Sequence, residues 1–152
     1  MVLLVSLVFL LLLTLLGISS MQNATLQEKM AGSVTLRNQS FQAAEAALRV
    51  GESTIQGAGF VLAKCTTLTT CAPPAESTLV TLAEGVNNTS GVRWYAVTGG
   101  GFYGIQNLGT TTTPINRPPT CSSSSTVTLY RVTAVGNQGI SKTVLESIYA
   151  NC

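Results

Sequence analysis

Histidine and aspartate are absent from this chain. Their absence removes the Ser-His-Asp arrangement, most general acid–base pairs and the usual zinc ligand sets. Charge of any sign is scarce: Asp, Glu, Lys and Arg make up 9% of the residues, against about a quarter in ordinary domains. The acidic residues are Glu28, Glu45, Glu52, Glu76, Glu84 and Glu146, and no two stand in a pattern that suggests a working pair. A net charge of +2 is too small to point to nucleic acid or an acidic partner. No proline precedes Pro73, so nothing in the first part of the chain forbids a long helix. No Lys or Arg precedes Lys29, which argues against a secretory signal with its basic start.

What fills the space is apolar at one end and Ser, Thr, Gly and Asn at the other. Met1 to Ile18 is interrupted only by Ser6, Thr14 and Gly17. A helix can satisfy such hydroxyls on its own backbone. As a helix, residues 1–27 run about 40 Å, enough to cross a bilayer core. Leu26, Met30, Val34, Phe41, Ala44, Leu48 and Ile55 continue at helical spacing, and Glu45 and Arg49 stand four apart as an ion pair would require. Gly51, Gly57 and Gly59 signal the end. One helix to about residue 57 is therefore expected, its apolar part spanning 1–27 and its continuation 28–57 entering a folded head. Gly17, Ser19 and Ser20 mark the place where the helix is expected to unwind, between Leu16 and Asn23, if the chain sits in a filament.

Beyond Gly59 the character changes. Residues 60–77 carry Cys65, Cys71, Pro73 and Pro74 and read as a loop. Strands are predicted at Thr78–Leu82, Val92–Thr98, Gly101–Asn107, Thr126–Val135 and Ile140–Tyr149, with a turn at 136–139. The Thr/Ser/Pro-rich stretch at 109–125 reads as a surface loop. The fold class is α+β: a long helix packed by its upper half on an antiparallel sheet, with a β-rich head over 58–152. Gly99, Gly100, Gly101 and Gly104 lack the Lys-Ser/Thr ending of a phosphate loop and read as a turn. Trp94, Tyr95, Phe102 and Tyr103 lack interleaved basic residues and read as sheet packing against the helix, not as a base-stacking platform. Lys64 and Lys142 are the lysines that would serve a hydroxyl nucleophile, and nothing in the sequence places either beside one. No cofactor, metal or catalytic residue is expected.

Cys65, Cys71, Cys121 and Cys152 read as two disulfides made in an oxidising compartment. Three pairings are open, and sequence alone does not choose. Cys65–Cys71 would close one short loop at small entropic cost, and Cys121–Cys152 would tie the chain end to the polar loop.

The segment MVLLVSLVFLLLLTLLGISSM, the helix signature SFQAAEAALRVGE at 40–52 and the ending LYRVTAVGNQGISKTVLESIYANC together resemble the type IV pilins, most closely PilX-type minor pilins. Ala43, Ala44, Glu45, Ala46, Ala47 and Leu48 are the most specific part. The resemblance implies a filament of homo- or hetero-oligomeric pilin subunits with helices inside and heads outside. It implies residence in the bacterial inner membrane before assembly, then an extracellular pilus. It implies a prepilin peptidase that frees and methylates Met1, an assembly machinery, and adhesion, motility or a related pilus function. It also favours the Cys121–Cys152 closure. One departure is Val5, where most pilins carry a glutamate; a subunit at a filament tip escapes the need for that acid. Two other readings remain: a type II secretion pseudopilin, and a plain membrane-anchored periplasmic binding domain.

Overall fold

The computed structural model describes residues 1–79 and 83–152. Two compact units are present, Met1–Thr35 and Leu36–Cys152. Helix α1 covers Val2–Gln56. It passes through Gly17, Ser19 and Ser20 without interruption in the single chain. The energetic reason is simple. A glycine costs a helix about 1 kcal/mol and a serine less. Ending and restarting the helix would strand several N–H and C=O groups at each new end. In Met1–Thr35 no side chain is buried.

In Leu36–Cys152 the helix buries Ser40, Ala44, Ala47, Gly51 and Ile55 along one stripe. The helix ends at Gln56, and Gly59 follows at φ 81°. Gly51 is therefore not a terminator; it sits inside the helix, against the sheet. A short helix α2, Leu68–Cys71, lies in the segment read as loop. Thr67 and Thr70 cap it reciprocally, side chain to backbone. A single 3-10 turn follows at Ala75–Thr78.

The sheet contains β1 (Gly85–Val86), β2 (Arg93–Val97), β3 (Gly101–Thr111), β4 (Val127–Gln138) and β5 (Ser141–Asn151). They lie in that order, each antiparallel to the next. Several expected boundaries shift. Thr78 closes the 3-10 turn, and residues 80–82 of the strand expected at 78–82 lie outside the described residues. Strand β3 runs past Asn107 by absorbing an irregularity between Asn107 and Gly109, with Gly109 at φ 109°. The polar loop thus begins after Thr111, not at 109. The last turn is Gly139-Ile140, because Gln138 already pairs with Ser141. Gly139 has φ 56° and no non-glycine residue among those described has a positive φ, which fits a turn needing glycine first.

Alternation divides the sheet's side chains between two faces. Tyr103, Ile105, Tyr130, Val132 and Ala134 join Ala47 and Ile55 in the larger core. Val92, Trp94 and Val135 form a second cluster with Phe102. The four neighbouring aromatics are therefore split. Tyr95 stacks on Tyr103, with ring centroids 5.3 Å apart, whereas Trp94 and Phe102 turn away from the helix.

Candidate functional site

The first candidate surface is Met1–Thr35 taken alone. Its apolar side chains are all exposed, from Val2 to Val34. An 18-residue window has a mean hydropathy of 2.9 and none of it is buried. By length and composition it can cross a membrane. The two hydroxyls of Met1–Ile18 bond to the helix backbone: Ser6 donates to the Leu3 carbonyl at 2.9 Å and Thr14 to that of Leu11 at 2.8 Å. Val5 lies on this exposed surface beside Leu3, Leu4 and Leu7, so no carboxylate is offered there. Such a surface offers packing, not chemistry.

The second candidate is the helix signature, and here the sequence pattern acquires a reason. Ala44 and Ala47 are fully buried, Ala43 and Leu48 half-buried, and Ala46 exposed. Glu45 is half-buried and accepts from Arg49 as an i,i+4 pair. Small residues are needed because sheet glycines face them at backbone distance. A Cβ on Gly136 would sit 2.0 Å from the Ser40 carbonyl oxygen and 2.5 Å from the Ala44 nitrogen. One on Gly101 would sit 2.7 Å from the Ala43 carbonyl oxygen. One on Gly51 would meet Val132 Cγ1 at 2.6 Å. Polar pairs fix the register of β5 beneath the helix. Ser40 Oγ lies 2.8 Å from Thr143 Oγ1, Ser147 donates to Glu52 at 2.7 Å, and Gln56 donates to the Tyr149 hydroxyl at 2.7 Å.

The disulfides and their neighbours shape the rest of the head. Cys65 is joined to Cys71, and Cys121 to Cys152, with Cα separations of 5.2 and 5.8 Å. The first loop is held to the sheet by side chains whose role the sequence did not announce. Gln106 donates to the Thr70 and Ala72 carbonyls, Arg131 to that of Cys71, and Asn107 to that of Leu62. The polar loop is organised around Arg117, which donates to the carbonyls of Thr112, Ser122 and Ser125. Glu76 is buried and accepts from Ser90 Oγ and, at 3.1 Å, from Trp94 Nε1. It holds the 3-10 turn against the smaller core. No periodic signal marks these residues; only the shortage of charge makes each remaining Arg and Glu conspicuous.

On the face away from the helix, Arg131 Nε lies 3.0 Å from Glu146 Oε1, an ion pair not aligned as a hydrogen bond. Thr133 Oγ1 and Lys142 Nζ are buried without a partner among the described residues. Burial holds the Lys142 amine below its ordinary pKa of 10.5.

Residues 1–49 match the family model described as PilX N-terminal. The match takes in both the apolar run and the alanine signature. Over these residues the chain is similar to type IV pilin-like proteins of the PilX type. Comparison with curated proteins and with solved structures returned no match. The long helix with an antiparallel sheet packed on its later part is an α+β, pilin-like layout. Membrane anchoring by the apolar helix, followed by association with pilus subunits, fits the same family.

Proposed function

We propose that the chain is a structural subunit of a type IV pilus filament, built in by packing of its N-terminal helix against those of other subunits. One observation carries this reading: the PilX-type segment is a helix that exposes an almost wholly apolar surface from Met1 to Ile18, where Ser6 and Thr14 bond to its own backbone. In water such a surface is costly, at about 25 cal/mol for each Å² left exposed. A membrane and then a bundle of like helices both remove that cost. On this reading a prepilin peptidase frees and methylates Met1, and an assembly machinery lifts the subunit out of the inner membrane. The chain's own role is mechanical, and adhesion or motility belongs to the filament it joins.

Val5 directs the proposal further, toward a minor or tip position. A subunit with valine there brings no carboxylate to offset a neighbour's buried amine, and an unpaired buried ammonium is costly. Quantitative mass spectrometry of filaments sheared from the source cell tests this. The tip reading expects the head peptides at a small fraction of the major subunit's abundance. Comparable abundance would make the chain a repeating subunit, and absence from the sheared fraction would remove the pilus reading altogether.

A further inference from the structure

The polar loop of the head carries an inference separate from helix packing. It joins β3, which ends at Thr111, to β4, which starts at Val127. More than half of its residues bear a hydroxyl: Thr112, Thr113, Thr120, the serines at 122–125 and Thr126. Elsewhere in the head such groups hold the fold together. Ser40 meets Thr143, Ser147 donates to Glu52, Ser90 donates to Glu76, and Thr67 and Thr70 cap α2.

In this loop other groups do the holding. Arg117 gathers the carbonyls of Thr112, Ser122 and Ser125. Cys121 is buried and bonded to Cys152. Pro114, Pro118 and Pro119 fix their own φ angles. Two hydroxyls take part: Thr111 accepts from the Thr113 N–H, and Ser125 donates to the Ser122 carbonyl. The hydroxyls of Thr112, Thr113, Thr120, Ser122, Ser123 and Ser124 bond to no described residue, and all six residues are exposed. The backbone is fixed, and these hydroxyls are left free on it.

Beside them lies apolar surface that no described residue covers. Ile115 is fully exposed, and Pro114, Ile115, Asn116, Leu129, Ile148 and Ala150 line an open hollow of about 270 Å³. Charge does not hydrate this surface, because the loop's one ionic group, Arg117, is turned to backbone carbonyls. Exposed Ser and Thr among prolines in an uncharged stretch have the composition of O-linked sugar acceptors. A sugar ring has a C–H face that packs on apolar side chains such as Ile115, and hydroxyls that hydrate the other side.

We propose that the free hydroxyls of this loop are acceptors for O-linked sugar. In the transfer, an acceptor Oγ attacks the anomeric carbon of a phosphate-activated sugar. The Oγ–carbon bond forms, the bond from that carbon to the phosphate oxygen breaks, and its electron pair leaves on the phosphate. A base of the transferase takes the hydroxyl proton. The proposal needs only that the head reaches an oxidising compartment, as its two disulfides imply, and so stands apart from the pilus reading.

The full chain, purified in detergent from its source cell, tests this. After reduction, trypsin should release the whole loop in one peptide, Trp94 to Arg131, because Pro118 protects the bond after Arg117. That peptide is expected to exceed its sequence mass by whole sugar residues. Alkaline elimination should mark acceptors among Thr112, Thr113, Thr120, Ser122, Ser123 and Ser124, and leave Thr111 and Ser125 unmarked. Replacing the six by alanine should remove all the added mass while both disulfides still form, which separates loss of acceptors from loss of fold. A peptide at its sequence mass would overturn the proposal. So would sugar confined to residues outside the loop, a non-sugar adduct on the same hydroxyls, or added mass that survives in the six-alanine chain.

Discussion

The two ends of α1 have the same secondary structure and opposite surroundings. From Val2 to Thr35 large apolar side chains stand exposed and no residue is buried. From Leu36 to Gln56 the buried positions are Ser40, Ala44, Ala47, Gly51 and Ile55, four of them small. The difference shows that helical periodicity says where a face is, not what covers it. The large residues serve a surface that this chain does not itself cover. The small ones let a sheet approach to backbone distance.

The largest expected effect breaks that comparison at its tightest point. Gly136→Val should unfold or severely loosen the head, costing more than about 3 kcal/mol, because the added carbons meet helix backbone rather than a movable side chain. Gly17→Ala and Gly32→Ala, where nothing lies within 4 Å, should leave the head's denaturation midpoint unchanged. Urea unfolding followed by Trp94 fluorescence reads both. If Gly136→Val melts like the parent, the close approach is not required.

Next comes the Cys121–Cys152 closure. Replacing both with serine should cost about 3–4 kcal/mol through the unfolded chain's entropy. The helical circular dichroism of Met1–Thr35 should survive at temperatures where the head has melted. Non-reducing peptide mapping checks the pairing itself; a peptide joining the 65–71 segment to Cys152 would contradict it.

Glu76→Ala is expected to cost about 2 kcal/mol, since Trp94 Nε1 and Ser90 Oγ would lose their buried acceptor. Glu76→Gln keeps an acceptor and should cost less. A red shift of Trp94 emission in the alanine variant alone would mark the loss.

The smallest effect concerns pH. Burial lowers the Lys142 pKa, so folding must either desolvate the charge or release its proton. The unfolded chain holds that proton up to the ordinary pKa of 10.5, and stability therefore rises with pH through the window just below it. Lys142→Gln should be more stable than the parent at neutral pH, with the gap closing as pH approaches that value. A gap constant with pH would show that the amine is not desolvated.

The sequence made the helix, its apolar run, the α+β class and most strand cores legible, because these rest on long patterns. The packing stripe was harder to read. Leu26, Met30 and Val34 continue the periodic pattern yet remain exposed, and Phe41 is half out. Ala44 and Ile55 of that pattern do pack, but so do Ser40, Ala47 and Gly51, and small or polar residues carry little hydrophobic signal. The turn expected at Gly136–Gly139 moved to Gly139-Ile140 because Gly136 serves the helix contact instead. Trp94 and Phe102 fell on the far face because strand alternation separates neighbours that composition groups together. The roles of Arg117, Arg131 and Glu76 depend on partners distant in sequence, and no local pattern encodes them.

The central claim is that the exposed apolar surface of the first thirty or so residues is a packing surface for other subunits. Its most direct test is Leu11→Lys in the source cell, with the chain traced by immunoblot in sheared filaments and in the envelope. The account predicts that the parent chain is found in the filaments. The variant should be lost from them while its detergent-extracted head melts like the parent's. Equal recovery of both in filaments, or confinement of both to the envelope, would contradict it.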